Sequence, residues 1–137
     1  MPNTRRVLIV EDEEIIRTTL CEFLSAEGFE VRAAGGVAEA LACIRQADFQ
    51  VAICDVRLPD GDGVQLLKRL QQHNPDMFVL VMTAYATVEN VVQAFQAGAY
   101  DYLTKPIIFD DVQHKLDRLF RYRELFIENQ TLRRELS

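Results

Sequence analysis

The stretch Val51-Ala52-Ile53-Cys54-Asp55-Val56-Arg57-Leu58-Pro59-Asp60-Gly61-Asp62-Gly63 joins a wholly apolar run to an abruptly polar segment. Val51–Cys54 has the composition of a strand buried on both faces of a parallel sheet. Two similar runs flank it, Val7–Val10 and Phe78–Met82, both nearly continuous in apolar and β-branched residues. Two further runs, Glu30–Ala33 and Ala99–Leu103, mix in polar residues and suit the edges of the sheet. Helical stretches fill the intervals. Glu14–Glu27 carries Ile15, Leu20, Phe23 and Leu24 near helical spacing, with Gly28 where a left-handed cap belongs. Val37–Gln46 follows, then Val64–Asn74 stopped by Pro75, then Val88–Ala97 ended by Gly98. A fifth helix begins near Ile108 and can run to the C-terminus. Strands alternating with helices predict an α/β, doubly wound (βα)5 domain with right-handed crossovers.

Bulk properties narrow the function classes. A chain of 137 residues, 49% hydrophobic and 26% charged, suits one domain able to fold without disulfides. Its three cysteines, Cys21, Cys43 and Cys54, match neither a disulfide framework nor a zinc spacing, which predicts reduced thiols in a cytoplasmic protein. No apolar run approaches the about 20 residues of a membrane span, and Met1–Arg6 shows no signal-peptide pattern. The net charge of −6 is uneven: residues 1–110 hold 16 acids and 9 bases, net −7, and residues 111–137 hold 5 and 6, net +1. An acidic globule does not attract nucleic acid, so no direct nucleic-acid binding is expected.

Fold class alone assigns no function, but in such sheets ligands bind beyond the carboxyl ends of the strands. Those ends are unusual here. Strand one runs into Glu11-Asp12-Glu13, strand three into Asp55, strand four into Thr83 and strand five into Thr104-Lys105-Pro106. If the four strands lie side by side, Glu11, Asp12, Asp55, Thr83 and Lys105 meet in one pocket. Clustered carboxylates repel unless a cation is present, and Mg²⁺ is the hard, oxygen-bound ion that fits best. Lys105 adds a compact positive charge and Thr83 a hydroxyl donor, a set suited to phosphoryl oxygens. Asp55 is the best nucleophile, because it ends the most apolar, central strand. His73 and His114 read as surface residues. Each feature alone has a plainer explanation, an N-cap or a turn; their succession at strand ends in order does not.

These residues carry a family likeness. Val7-Leu-Ile-Val-Glu-Asp-Glu13, Val51–Gly63, Val79-Leu-Val-Met-Thr-Ala84 and Ala97-Gly-Ala-Tyr-Asp-Tyr-Leu-Thr-Lys-Pro106 together resemble the response-regulator receiver domain of bacterial two-component systems, over about residues 5–120. The resemblance implies a flavodoxin-like sheet of strand order 2-1-3-4-5. It implies Asp55 as phosphoacceptor from a histidine kinase, and Mg²⁺ held by Asp12, Asp55 and the Arg57 carbonyl, with Glu11 acting through water. Lys105 would pair with Asp55 and then with the phosphoryl group. Thr83 and Tyr102 would form the switch, Lys105–Pro106 would be cis, and Gly63 would end the turn after the acceptor. Such a protein is not an enzyme in the ordinary sense, although it assists its own phosphotransfer and slow autodephosphorylation. Arg57 and Tyr85 occupy positions that vary across the family and bear on how water reaches the acyl phosphate. The run Tyr85–Tyr102 looks most like the nitrogen-regulatory class, whose last helix leads to an AAA+ ATPase acting with sigma-54 polymerase in transcription.

The tail gives a separate signal. Tyr122, Leu125, Asn129, Leu132 and Leu136 recur at alternating spacings of three and four, the seam of a coiled coil. Residues 1–120 are therefore expected to form the receiver domain, and 121–137 a helical extension favouring a homodimer, with an effector domain missing from the chain. The competing readings are a phosphorylation-independent interaction module, an aspartyl phosphohydrolase and a flavodoxin. Intact acidic, threonine and lysine positions oppose the first. Asp55-Val56-Arg57 lacks the hydrolase Asp-x-Asp, and Glu11–Glu14 would repel a flavin phosphate. Asp60–Gly63 lacks the spacing and closing Glu of a calcium loop.

Overall fold

Apolar runs this short can be satisfied only by pairing with one another, and all five do so in parallel. They are β1 (Arg6–Val10), β2 (Glu30–Ala34), β3 (Val51–Asp55), β4 (Phe78–Thr83) and β5 (Asp101–Thr104), in the order β2-β1-β3-β4-β5. The computed structural model describes residues 5–136. Met1–Thr4, most of the segment read for a signal peptide, and Ser137, the end of the predicted tail, lie outside the described residues. The chain divides into two compact units, residues 1–107 and residues 108–137.

In the first unit the helices are α1 (Glu14–Ala26), α2 (Val37–Gln46), α3 (Gly63–His73) and α4 (Val88–Ala97). Side chains alternate across a strand, and burial follows that rule here. Leu8, Val10, Ala52, Cys54, Val79 and Val81 join one core with Ala40 and Ile44 of α2, Leu66, Leu67 and Leu70 of α3 and Ala94 of α4. Val7, Ile9, Ile53, Leu80 and Met82 are buried on the other face, and Leu20 and Leu24 are the buried residues of α1. The mixed runs occupy the two edges, as their composition predicts. Gly28 and Gly98 hold the left-handed conformation, with φ of 96° and 113°, closing α1 and α4. All three cysteines are free, with Cys54 in the core.

The structure departs from the sequence reading in three places. The fifth strand begins at Asp101, because the Ala99 N–H is spent on the α4 cap, donating to the Ala94 carbonyl (3.0 Å). Ile15 is 82% exposed. It lies about 140° and 180° around the helix from Leu20 and Leu24, which face inward. A two-stranded antiparallel ribbon, Arg57–Leu58 against Gly61–Asp62, stands between β3 and α3 and was not anticipated.

The second unit is one helix, α5 (Phe109–Leu136), entered after a cis Lys105–Pro106 bond. Val112, Leu116, Leu119 and Phe120 are its buried residues, and Leu125, Leu132 and Leu136 beyond them are exposed. No helix among the described residues is long and apolar enough to cross a membrane.

Gly63 shows how tightly the loop after β3 is folded. A Cβ there would lie 2.8 Å from the Val56 Cα and closer still to the Asp55 carbonyl oxygen, both backbone atoms. Gly63→Ala is expected to cost at least about 1–3 kcal/mol through overpacking, measured as a lowered urea midpoint at unchanged m-value.

Candidate functional site

The sheet carries its register into the site. Beyond β1, the Glu11 N–H donates to the Ala34 carbonyl (3.0 Å), and beyond β5 the Lys105 N–H donates to the Thr83 carbonyl (2.9 Å). Asp55 pairs with Met82 as the last residue of β3, and Thr83 pairs with Thr104. The backbones of Glu11, Asp55, Thr83 and Lys105 are thus fixed by the ladder or by one hydrogen bond past it.

From those anchors the side chains converge. Glu11 is fully buried, Asp55 and Thr83 are buried, and Asp12 is exposed. One carboxylate oxygen from each of Glu11, Asp12 and Asp55 lies within 4.8 Å of the others. The Lys105 ammonium sits 2.5 Å from Asp55 Oδ2 and 2.7 Å from Glu11 Oε1. The first contact is a hydrogen bond; the second is an ion pair without hydrogen-bond alignment. The remaining oxygens take backbone donors, Glu11 Oε2 from the Glu13 N–H (3.0 Å) and Asp55 Oδ1 from the Arg57 N–H (3.0 Å).

Burial raises the Glu11 carboxyl above its ordinary pKa, against the opposing effect of the Lys105 ammonium and the Glu13 N–H. Burial also works against the charge on Lys105, yet its bonds to Asp55 and Glu11 outweigh it and raise the lysine pKa. The pocket therefore holds a firmly charged ammonium among three acids. All its clustered donors are oxygens and the acids outnumber the lysine, a set that fits a hard divalent cation such as Mg²⁺.

A cleft of ≈ 470 Å³ opens over the site, lined among others by Asp12, Asp55, Arg57, Thr83, Tyr102 and Lys105. Thr83 Oγ1 accepts the Tyr85 N–H (3.0 Å). Tyr102, half-buried, meets Phe95 edge to face with ring centroids 6.3 Å apart. The Arg57 guanidinium lies 4.8 Å over the Tyr85 ring at the same cleft. A larger cleft of ≈ 640 Å³ near Arg6, Arg32 and His73 contains none of the predicted site residues.

Every predicted site residue except Glu11 lines the smaller cleft, and Glu11 sits beneath it on Lys105. Sequence reasoning missed the residues that hold the loops. Arg17 Nη1 donates to the Glu11 (2.8 Å) and Asp12 (3.2 Å) carbonyls. Asn90 Nδ2 donates to the Tyr85 carbonyl (2.9 Å). Asp60 and Asp62, rejected as a calcium loop, spend carboxylate oxygens on the first amides of α2 and α3. An arginine one turn after an acidic pair was the only available signal among these.

Known proteins resemble the chain over most of its length. The response regulator receiver domain family matches residues 7–117. The transcriptional regulatory protein ZraR of Escherichia coli O157:H7 is 37% identical over 87% of this chain and 27% of its own length. The regulatory protein AtoC of E. coli K12 is 34% identical over 100% of this chain and 30% of its own. The chain thus spans under a third of the curated relatives it matches. Among solved structures, a CheY-like receiver domain protein from Methanospirillum hungatei JF-1 superimposes with a TM-score of 0.84 at 34% identity, over 89% of this chain and 98% of the other. NtrX from Brucella abortus gives 0.87 at 30% identity, over 93% and 29%.

The ion pair makes a pH-dependent prediction. Lys105→Ala leaves the buried Glu11 carboxylate without its cation, at a cost of roughly 3 kcal/mol near neutral pH. A carboxyl whose folded pKa lies above its unfolded value destabilises the fold above that unfolded value. The penalty is relieved as pH falls below the folded pKa. Loss of Lys105 enlarges the penalty, so the gap between wild type and variant should narrow from about pH 8 to about pH 5. Urea unfolding at both values checks it, and an equal gap rules out Glu11 as the uncompensated group.

Proposed function

Since the chain belongs to the response regulator receiver domain family, we propose that it accepts a phosphoryl group on Asp55 from the phosphohistidine of a sensor histidine kinase, and that the acyl phosphate switches an effector. The observation that carries the reading is the Lys105 ammonium bound to Asp55 and paired with Glu11, beside a cluster of three carboxylates.

An Asp55 carboxylate oxygen attacks phosphorus, an O–P bond forms, and the P–N bond of the donor breaks as the imidazole departs. The Arg57 N–H orients the attacking carboxylate, and Lys105 passes from the carboxylate to the equatorial phosphoryl oxygens as charge develops there. Asp12, Asp55 and the Arg57 carbonyl would hold Mg²⁺, with Glu11 acting through water. When bound, the ion neutralises charge shared between the acids and the incoming phosphoryl group. Thr83 releases the Tyr85 N–H and donates to the phosphoryl group, and Tyr102 moves inward along the cleft that both residues line.

The output we infer is transcriptional control through an effector of the AAA+ ATPase type, as in the nitrogen-regulatory class, supported by the likeness to NtrX and to proteins named as transcriptional regulators. The exposed Tyr122, Leu125, Leu132 and Leu136, spaced as a seam around Asn129, support a homodimer through the extension of α5.

The acceptor is tested by intact mass. With Mg²⁺ and a small phosphodonor, wild type should gain one phosphoryl group, and Asp55→Asn should gain none. Omitting Mg²⁺ should suppress the gain, and Asp12→Asn should raise the concentration required. Undiminished labelling of the Asp55→Asn variant sinks the assignment.

The switch is tested separately. A hydrogen bond to a charged group is worth roughly 1.5–3 kcal/mol, enough to move a two-state ratio about ten- to a hundredfold. Thr83→Ala should therefore still label at Asp55 but respond weakly. Sedimentation of wild type and variant, with and without phosphodonor, should show a change in association only in phosphorylated wild type. Identical association in all four samples refutes coupling between site and tail.

A further inference from the structure

The ribbon that follows β3 is tied at its tip to a helix far from it in sequence. Asp60 Oδ1 accepts the Val37 N–H at 2.7 Å and Oδ2 accepts the Ala38 N–H at 3.1 Å, the first two amides of α2. That helix has Gly36 at its N-cap and no cap from its own side chains. The join is close. A Cβ on Gly36 would stand 2.5 Å from Asp60 Oδ1, and one on Gly61 would stand 2.9 Å from Val37 Cγ2. Two glycines thus make room for the carboxylate and the ribbon to reach the helix.

A surface carboxylate capping a helix contributes to stability and no more, unless what it holds matters elsewhere. Here the first strand of the ribbon begins at Arg57. Arg57 donates its N–H to Asp55 Oδ1, and its guanidinium covers the Tyr85 ring. The ribbon's two strands have two rungs and no fully buried residue, and Leu58 alone among them rests partly on the core. So short a ribbon is marginal alone, and Asp60 anchors its tip.

We propose that Asp60 is a positioning residue for phosphotransfer: by clamping the ribbon to the N-terminus of α2, it fixes the Arg57 backbone that orients Asp55 and completes the Mg²⁺ site. The proposal rests on the phosphoacceptor reading above. Asp60 itself touches neither phosphoryl group nor metal. The two amides hold its carboxyl below the usual carboxylate range, so the clamp is charged at neutral pH. The β2–α2 turn thereby anchors both ligand-bearing loops, since the Ala34 carbonyl also accepts the Glu11 N–H.

The test compares wild type with Asp60→Ala, Asp60→Asn and Gly36→Ala. Gly36 has extended backbone, with φ of −173°, which alanine adopts freely. Its new methyl would displace the Asp60 carboxylate while leaving that residue in place. Two quantities are read: the Mg²⁺ concentration at half-maximal shift of the melting temperature, and the Mg²⁺ dependence of the initial labelling rate with a small phosphodonor. Asp60→Ala should raise both midpoints about tenfold, the lower end of what loss of a ligand-supporting residue costs. Gly36→Ala should behave alike, and Asp60→Asn, which keeps one acceptor oxygen, should fall between. Final labelling should remain one phosphoryl group per chain. If the variants lose metal-free stability but keep the wild-type Mg²⁺ midpoint, Asp60 is only a helix cap and the proposal is overturned. Should Asp60→Ala fail to fold, Asp60→Asn and Gly36→Ala decide the same question. Absence of label in wild type would overturn the acceptor reading and this inference together, a result distinct from an unshifted midpoint in labelled variants.

Discussion

Two carboxylates at the end of a buried sheet, Glu11 and Asp55, are held together by one ammonium, with a third, Asp12, beside them. Glu11 has no exposed surface, so its charge has to be met by groups within the site. Taking such a group out of water costs several kcal/mol unless a partner is fixed within reach. Lys105 is that partner, and its own burial is compensated by the same contacts. Strands β1, β3 and β5 are therefore linked through Glu11, Asp55 and Lys105 as well as through the ladder. The arrangement is ion-paired yet still acidic, with more carboxylates than ammonium groups. That residual charge suits a divalent cation, and in the proposed phosphotransfer Lys105, already bound to Asp55, would follow the charge as it moves.

Stability and chemistry draw on the same contacts in different measure. The sheet fixes where the functional residues begin, by backbone hydrogen bonds that involve no functional side chain. The loops beyond it are shaped by side chains spent on backbone: Arg17 on two carbonyls, Asp60 and Asp62 on helix amides, Asn90 on Tyr85. Polar side chains that satisfy buried or terminal backbone groups are the ordinary means of ordering a loop. Here those loops adjoin the strand ends that carry Asp55 and Thr83, and one of them holds Glu11 and Asp12.

The five strands and the polar residues at their ends, Glu11, Asp12, Asp55, Thr83 and Lys105, were legible because parallel strands buried on both faces leave an apolar trace against which those ends stand out, whereas the strand order was what the family resemblance implied. The edge strands were legible from their mixed composition for the same reason. What could not be read were features decided by geometry between distant segments. Asp60 reaches an amide 23 positions earlier, and neither residue type announces the other. Ile15 fits an apolar helix pattern but falls on the side away from Leu24, an ambiguity that only the docked orientation of α1 removes. The late start of β5 has a local cause, since the cap of α4 uses the Ala99 N–H first.

The anchoring of site residues on strand ends has a consequence for divergence. Neighbouring strands stand about 4.8 Å apart whatever lies on the outer faces of the helices. Substitutions on those faces, at Ile15 or along the exposed Val88 and Val92 of α4, shift no strand end. The strand-end cluster and the outer faces of the helices can therefore change independently, and a lineage of such chains can vary those faces while keeping the acids and lysine of the cluster in place.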